Sequence, residues 1–217
     1  PKGDVNRQSM NMHQAVIVSD AFMQKLENGD KEARKRWAAV IRKRRSTGEP
    51  YIVYKGNINR ANPDAYKQNG LKVYMTNICS EITLHTDENH SFVCCLSSVN
   101  LAKYDEWKDN DQFIPDLVRM LDNVLDYFIA TAPDELYRAK LSAERERSIG
   151  LGAMGFHAYL QRHNIPFESV LAKGANSRMF KRIKEEAVRA TRQLATERGE
   201  CPDGIGYGVR NSHLLAV

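Results

Sequence analysis

The amino-acid sequence predicts an α/β fold. Apolar, strand-like runs at residues 12–18, 51–54 and 91–101 alternate with longer segments whose apolar residues recur at the spacing of a helix face. Such alternation of strands and helices is typical of α/β proteins. The chain has 217 residues, of which 42% are hydrophobic, so it is long enough to bury a sizeable core.

The first part of the chain is expected to contain a strand followed by two helices. The run MHQAVIV (12–18) has the composition of a strand. Ser19 and Asp20 are candidate N-caps of a helix that ends near Gly29. A second helix is expected over about 30–46, where the sequence TGEP ends it.

The middle of the chain is expected to hold two strands. YIVY (51–54) is a short strand-like run. The stretch 55–70 is rich in Asn, Pro and Gly, and this composition indicates a loop. SFVCCLSSVNL (91–101) is β-rich and largely apolar, which predicts a strand buried on both faces.

Two long helices are predicted in the second half. One begins near Asp111 and has a continuous apolar face, and the other covers about 176–198. Between them, SIGLGAMGFHAYLQRH (148–163) carries three glycines, which destabilise a helix unless another backbone packs closely against them. GLGAMG has the GxGxxG spacing, but no strand signal precedes it in the sequence, so we do not expect a dinucleotide-binding loop there.

Charge and apolar content argue against several classes of protein. The formal net charge is +5, but the basic residues concentrate in the helix-like stretches 34–45 and 178–192, where a solvated helix face is the favoured interpretation. Nucleic acid is therefore not expected as the main ligand. The sequence has no apolar run of about 18 residues and no signal-peptide layout near its start, so we expect a cytoplasmic protein with no membrane partner.

The four cysteines are Cys79, Cys94, Cys95 and Cys201. None of them lies at the Cys-x-x-Cys spacing of a structural zinc site, and the sequence predicts no metal site. In a reducing compartment all four are expected to be thiols. Cys95 and Cys201 are interpreted as small, buried hydrophobic residues.

The segment MTNICSEITLHT (75–86) places Cys79 two residues from Asn77 and two residues from Glu81. If the segment is extended, these three side chains project to one face, because successive side chains of a strand alternate. That face then offers an amide, a thiol and a carboxylate that can act as a general base. On spacing alone, a buried cysteine in a turn between two strands is an equally good interpretation.

The neighbouring carboxylate indicates which thiol chemistry the motif favours. A cysteine hydrolase needs a histidine that generates the thiolate, and His85 and His90 are near in sequence. However, the negative charge of Glu81 disfavours a thiolate at Cys79. A neutral S–H that transfers a hydrogen atom, beside a carboxylate that deprotonates a substrate hydroxyl, fits the motif better.

Four segments, in order along the chain, resemble the large catalytic subunit of ribonucleotide reductase. They are TNICSEI (76–82), FVCCLSSVNL (92–101), RSIGLGAMGFHAYLQRHNIPFES (147–169) and RNSHLLAV (210–217). DAFMQKLENGD and TGEPYIVYKGNINRANP are also similar to that family, so the resemblance runs through nearly the whole chain. The stretch TLHTDENHSFVCCLSS is similar to class I enzymes of bacteriophage type.

The resemblance implies a fold and a set of roles. The whole chain, 1–217, is expected to be part of the ten-stranded α/β barrel of that family, with a catalytic finger loop at about 75–92. By resemblance, Cys79 carries a transient thiyl radical that abstracts the ribose 3′-hydrogen, Glu81 takes the proton of the 3′-hydroxyl, and Asn77 hydrogen-bonds the sugar hydroxyls. Cys94 matches one of the two redox-active thiols that end as a disulfide, and Cys95 occupies a variable position.

The resemblance also implies what the chain works with. No cofactor is expected to be bound directly, because a metal-containing, radical-generating small subunit supplies the radical. The substrate is a ribonucleotide, and the reductant is thioredoxin or glutaredoxin. The family's second reducing cysteine, its phosphate-binding loop, its radical-transfer tyrosines, its carboxy-terminal tail and its amino-terminal regulatory domain are not among these 217 residues, and Pro1 is not an initiating Met. We therefore expect a fragment or split-gene product that needs the remainder of the large subunit for activity.

Three alternatives stay open at this point. A cobalamin-dependent class II reductase has much the same central motifs and would use adenosylcobalamin. A non-catalytic scaffold would keep the motifs as core structure. A basic nucleic-acid-binding domain would bind DNA with a steep dependence on salt.

Overall fold

The computed structural model of the chain describes residues 12–93 and 95–214. These residues form two compact units, of which the first ends at Asp87 and the second begins at Glu88. Both units mix helices and strands, which confirms the α/β class. The elements of the first unit are β1 (Ala15–Val18), α1 (Asp20–Glu27), α2 (Lys31–Thr47), β2 (Tyr51–Tyr54), α3 (Lys55–Ala61) and α4 (Asp64–Gln68).

The second unit contains two strands, five α-helices and three short 3₁₀ turns among its described residues. The 3₁₀ turns cover Leu101–Lys103, Asp134–Leu136 and Pro202–Gly204. The longer elements are β3 (Cys95–Asn100), α5 (Tyr104–Trp107), α6 (Phe113–Thr131), α7 (Tyr137–Glu146), β4 (Ile149–Met154), α8 (Phe156–Arg162) and α9 (Val170–Arg198).

In the first unit, β1 and β2 form a parallel pair with Ala15 opposite Tyr51. Parallel strands need a crossover connection, and α1 and α2 supply it. The start of α1 is capped by one of the two residues that the sequence predicts. Ser19 Oγ accepts a hydrogen bond from the Phe22 amide at 3.2 Å at the start of α1. Asp20, the other candidate cap, is instead the first residue of the helix.

The loop predicted for residues 55–70 is wrong, because the structure has α3 and α4 there. Tertiary contacts outweigh the low helix propensity of Asn and Gly in this stretch. Tyr66 is only 1% exposed, and the Asn59 side chain hydrogen-bonds both its own helix and a neighbouring segment. Pro63 lies at the amino-terminal boundary of α4, where its missing N–H breaks no helix hydrogen bond.

In the second unit, β3 and β4 form a parallel pair with Cys95 opposite Ile149. The helices α6 and α9 pack on each other, and their apolar faces form the main core together with the two strands. The amphipathic helix predicted from near Asp111 is confirmed as α6. The last helix begins at Val170, earlier than predicted, because Ser169 Oγ caps it by accepting from the Ala172 amide at 3.1 Å.

The prediction that the strand at 91–101 is buried on both faces is wrong for the described residues. Exposure alternates along β3, so that Val99 is 1% exposed whereas Leu96 is 51% exposed. This period of two is the signature of a strand that packs one face against a core. The strand therefore buries only one of its two faces within this unit.

The glycine-rich run at 148–163 forms β4 and then α8, and not one continuous helix. Ile149 and Leu151 are fully buried core residues; Gly150 lies between them along the strand, and Gly152 follows Leu151. The expected close approach of another backbone occurs at Gly155, which has φ 80°. A Cβ atom there would lie 2.9 Å from the Ala102 amide nitrogen.

Gly155→Ala is expected to lower the free energy of unfolding by about 2 kcal/mol or more, because it adds both left-handed strain and a clash with backbone. Gly174→Ala in α9 is the matched control, since a Cβ there meets only the flexible end of Arg178. This control should raise stability by about 0.5–1 kcal/mol. Urea unfolding of both variants measures whether the free energy of unfolding falls for Gly155→Ala and rises for Gly174→Ala. A lower free energy of unfolding in both variants would contradict the explanation.

The apolar end of the chain runs beside β4. The amides of Ile149 and Leu151 donate to the carbonyls of His213 and Leu214, each at 3.0 Å. The described part of the predicted strand-like end thus adds to the edge of the sheet. No helix within 12–93 or 95–214 has the length and apolar character needed to cross a bilayer.

Candidate active site

Residues 77–80 form a tight turn inside an irregular stretch of chain. The Ser80 amide donates to the Asn77 carbonyl at 3.1 Å, and Ser80 has φ 74°. This left-handed conformation is uncommon for a residue other than glycine. The segment is therefore not extended, and the expectation that its side chains alternate between two faces is wrong.

The turn brings together two of the three side chains that the sequence singled out. Asn77 Nδ2 donates to Glu81 Oε1 at 2.6 Å. On its other side, Asn77 Oδ1 accepts from the Ile82 amide at 2.9 Å. The Asn77 side chain thus fixes the position of the carboxylate and also closes the turn, because it reaches across the turn to both Glu81 and the Ile82 backbone.

Cys79 lies inside this turn and is exposed. The neighbouring Ile78 is 60% exposed, so the turn presents its tip away from the packed part of the unit. The alternative of a buried, structural Cys79 is therefore wrong. An exposed thiol on a turn closed by side-chain hydrogen bonds is accessible to a reacting molecule.

The Glu81 carboxylate keeps one oxygen without a protein partner. Its Oε1 accepts from Asn77, whereas Oε2 is buried and has no hydrogen-bond partner among the described residues. A buried carboxylate oxygen without a partner is costly, and native structures rarely leave one without a reason. Such an oxygen can accept a proton or a hydrogen bond from a bound molecule.

The chain that enters the turn is held by a side chain and not by a strand. Asn59 of α3 accepts from the Val73 amide at 2.9 Å through Oδ1, and donates to the Val73 carbonyl at 2.8 Å through Nδ2. Both backbone groups of Val73 are thereby satisfied by one amide, as a neighbouring strand would satisfy them. Val73 itself is 1% exposed.

The chain that leaves the turn is held by Tyr66 and His85. The His85 amide donates to the Tyr66 hydroxyl at 3.1 Å, and the Tyr66 carbonyl accepts from the Leu71 amide at 2.9 Å. The His85 ring reaches across to the entering chain, where Nδ1 lies 3.1 Å from the Lys72 amide nitrogen and 2.8 Å from the Lys72 carbonyl oxygen. Nε2 lies 3.1 Å from Asp87 Oδ2.

The sequence analysis missed these three anchoring residues. It assigned Asn59 and Tyr66 to a loop and considered His85 only as the base of a hydrolase. No local pattern marks them, because their hydrogen-bond partners lie 13 to 19 residues away along the chain.

A mostly apolar pocket of about 510 Å³ adjoins the turn within the first unit. Residues of β1 and β2 form one wall, and residues 75–78 form another. Asn77 is among the lining residues and brings a polar side chain to the pocket. An apolar pocket with a few polar groups at its edge is typical of a small-molecule site.

The other cysteines differ in how far the structure describes them. Cys94, the predicted redox-active thiol, lies outside the described residues. Cys95 is half-buried, and burial raises the pKa of its thiol. Cys201 is fully buried, and burial raises the pKa of its thiol to about 11, as suits the structural interpretation.

Comparison with known protein families gives one match that covers most of the chain. The family described as "Ribonucleotide reductase, barrel domain" matches residues 30–217. Among individual proteins, the chain is 47% identical over 235 residues to a protein of Frog virus 3 (isolate Goorha) that is named provisionally as a ribonucleoside-diphosphate reductase large subunit. That match covers 100% of this chain and 41% of the viral protein.

Two further matches agree with the first. The ribonucleoside-diphosphate reductase large subunit of Invertebrate iridescent virus 3 is 46% identical over 181 residues, which cover 83% of this chain and 29% of that protein. In structure, the chain is similar to the Actinobacillus ureae class Id ribonucleotide reductase alpha subunit, with a TM-score of 0.88 and 38% identity over 96% of this chain and 40% of the other. The chain thus spans about two fifths or less of the length of these relatives.

Proposed function

Since this chain belongs to the ribonucleotide reductase barrel-domain family, we propose that it provides the substrate-reducing site of a ribonucleoside-diphosphate reductase large subunit. The proposal is supported most directly by the turn at 77–81. There an exposed thiol is followed, two residues later, by a carboxylate that an amide holds in place. These are the groups that radical-based removal of a ribose hydroxyl requires.

In the proposed reaction Cys79 begins and ends the radical step. Its sulfur, as a thiyl radical, takes the hydrogen atom from C3′ of the ribose and becomes a thiol. After the 2′-hydroxyl has left as water and C2′ has been reduced, the thiol returns the hydrogen atom to C3′. Cys79 is therefore unchanged over one turnover, and its exposure suits a group that must touch the sugar.

Glu81 and Asn77 act on the hydroxyl groups. Glu81 Oε2, which is buried and has no partner among the described residues, takes the proton of the 3′-hydroxyl. This deprotonation helps the 2′-hydroxyl to leave as water. Asn77 holds Glu81 through Nδ2 and contributes its amide to the pocket, where it hydrogen-bonds the sugar hydroxyls.

The electrons for the reduction come from two thiols. Cys94 is proposed as one of them, and the other is on a part of the large subunit outside this chain. Together they lose two hydrogen atoms and form a disulfide, while the substrate loses its 2′-oxygen as water. Thioredoxin or glutaredoxin is the proposed reductant of this disulfide, and the cytoplasm is the proposed compartment.

The radical itself comes from outside the barrel. Similarity to a class Id alpha subunit favours a class I arrangement, in which a separate metal-containing small subunit generates the radical. The matches lend no support to adenosylcobalamin. The bacteriophage type remains a prediction, because the matched relatives come from eukaryotic viruses and other organisms.

Reconstitution tests the proposal. The complete large subunit that contains these residues, mixed with its small subunit, a dithiol and a ribonucleoside diphosphate, is expected to form the 2′-deoxy product. Omission of the small subunit should abolish product formation. Reduction by the large subunit with adenosylcobalamin alone would contradict the class I assignment, and absence of product in every mixture would contradict the proposed function.

A further inference from the structure

We propose that Asn59, Tyr66 and His85 are positioning residues of this site: they fix both ends of the loop that presents Cys79 to the sugar. The inference rests on the proposed function for its consequence in catalysis. The hydrogen bonds that carry it lie entirely within the first unit. None of the three residues belongs to the Asn-x-Cys-x-Glu motif.

The loop needs such anchors because it has no strand on either side of the turn. The described chain from residue 71 to 87 is irregular, so no ladder of backbone hydrogen bonds restrains it. Backbone groups that are buried must nevertheless be satisfied. Val73, Ile82 and Leu84 are 1%, 9% and 2% exposed, so both arms of the loop are packed against the unit.

The entering arm is restrained by a group that has no good substitute. An amide side chain is at once a donor and an acceptor, and Asn59 uses both functions on one residue, Val73. The side-chain Nδ2 of Asn62 donates to Asn59 Oδ1 at 3.2 Å, and Asn59 Nδ2 also donates to the Lys55 carbonyl at 2.9 Å. These bonds fix the Asn59 side chain relative to its own helix. Val73 is therefore held at a fixed position relative to α3.

The leaving arm is tied to the entering arm through Tyr66 and His85. Tyr66 bonds both arms, since its carbonyl accepts from Leu71 and its hydroxyl accepts from His85. His85 adds a direct link, because its ring contacts Lys72 on the opposite arm. The distance between the two arms is therefore set by the backbone and hydroxyl of Tyr66 and by the His85 ring, in residues that are only 1% and 5% exposed.

The position of the sulfur follows from the positions of the two arms. Within the turn, Asn77 closes the backbone onto Ile82, so the tip moves as one piece with the arms. Hydrogen-atom transfer demands a close approach of sulfur and C3′, and a displacement of about 1 Å at a reacting group costs roughly 10²-fold in rate. Loosened arms should therefore lower turnover more than they weaken substrate binding.

Kinetics of four variants in the complete large subunit, assayed with its small subunit, test the inference. Tyr66→Phe removes only a hydroxyl, and Asn59→Ala removes both bonds to Val73. We expect kcat to fall about 10- to 100-fold in each, with KM within about twofold of the wild-type value. The matched controls Tyr127→Phe and Asn123→Ala alter exposed residues of α6, outside this network, and should leave kcat unchanged.

A pair of variants at His85 separates positioning from mere stability. His85→Asn keeps a polar atom near the place of Nδ1, whereas His85→Leu does not. We expect His85→Asn to retain much more of the wild-type kcat than His85→Leu when both are compared at equal amounts of folded protein. Equal kcat in the two variants, or wild-type kcat in Tyr66→Phe, would overturn the inference.

Amide hydrogen exchange distinguishes failure of this inference from failure of the proposed function. In the folded large subunit, Tyr66→Phe should speed exchange at Ile82 and His85 by at least about tenfold, without a matching change across α6. This result is independent of any reductase activity. Unchanged exchange in the loop would overturn the anchoring role, whereas faster exchange in a protein that never forms product would count only against the proposed function.

Discussion

Replacing Cys79 by serine is expected to abolish ribonucleotide reduction, with kcat falling by roughly 10⁴-fold or more, the order seen when a reacting group of an enzyme is removed. Serine is close to cysteine in size, and its more polar hydroxyl is readily solvated on an exposed turn. Its O–H bond is much stronger than the S–H bond, so the hydroxyl does not form the oxygen radical that hydrogen abstraction would need. The loss is therefore chemical and not structural.

The matched control is Cys95→Ser, which makes the same atomic change at a half-buried cysteine that is assigned no role. Both variants are assayed in the complete large subunit with the small subunit, by formation of the 2′-deoxy product. Their thermal unfolding is compared with that of the wild type. Normal turnover in Cys79→Ser would favour the scaffold interpretation and end the radical mechanism for this residue.

Asp122→Ala is expected to lower the free energy of unfolding by about 3–5 kcal/mol, because it removes the buried counter-charge of Arg147 and leaves that buried guanidinium with only the half-exposed Asp126. Asp122 is 0% exposed in α6. Arg147 Nε donates to its Oδ1 at 2.9 Å, Arg198 Nη1 donates to its Oδ2 at 2.7 Å, and Asn211 Nδ2 donates to its Oδ1 at 3.1 Å. One carboxylate thus joins α6, the end of α7, the end of α9 and the chain near its carboxyl end.

Asp126→Ala is the matched control one turn further along α6. Asp126 also contacts Arg147, at 2.7 Å, but its side chain is 50% exposed, so water replaces the lost interaction. We expect a loss of no more than about 1 kcal/mol. Urea unfolding of the two variants measures the difference, and equal losses would contradict the account of Asp122 as a buried counter-charge.

The pH dependence of stability supplies a second test of Asp122. Burial alone would raise the pKa of this carboxyl, but Arg147 and the other nearby guanidinium groups outweigh burial and hold the pKa below its ordinary value. In the unfolded chain the pKa of Asp is about 3.9. The stabilisation is therefore present above about pH 4 and is lost as the pH falls through the lower, folded value. Asp122→Ala should remove this part of the acid sensitivity.

The sequence was most informative where structure depends on neighbouring residues. The apolar period of α6, the cap at Ser19 and the strands at 15–18 and 51–54 follow from local pattern, and the structure confirms them. Local pattern failed at 55–70 and at the start of α9. At 55–70, buried Tyr66 and the bonds of Asn59 to Val73 stabilise helix where composition indicated a loop. At the start of α9, the cap at Ser169 begins the helix earlier than the apolar pattern indicated.

For the site, the sequence by itself indicated the family and predicted a chemistry for the motif. The order amide, thiol, carboxylate at Asn77, Cys79 and Glu81 needs only the residue types and their spacing, and the segments that flank it carry the resemblance. The roles of these residues and of Cys94 stay proposals. Spacing alone did not determine how the three groups are arranged in space.

Only the tertiary structure decided that arrangement. It replaced an extended segment by a turn in which Ser80 is left-handed and Asn77 bonds Glu81. It also supplied Asn59, Tyr66 and His85 as anchors. The physical reason is the separation along the chain between hydrogen-bond partners. A buried backbone group needs a partner, and here the partners come from distant residues whose packing no local pattern encodes.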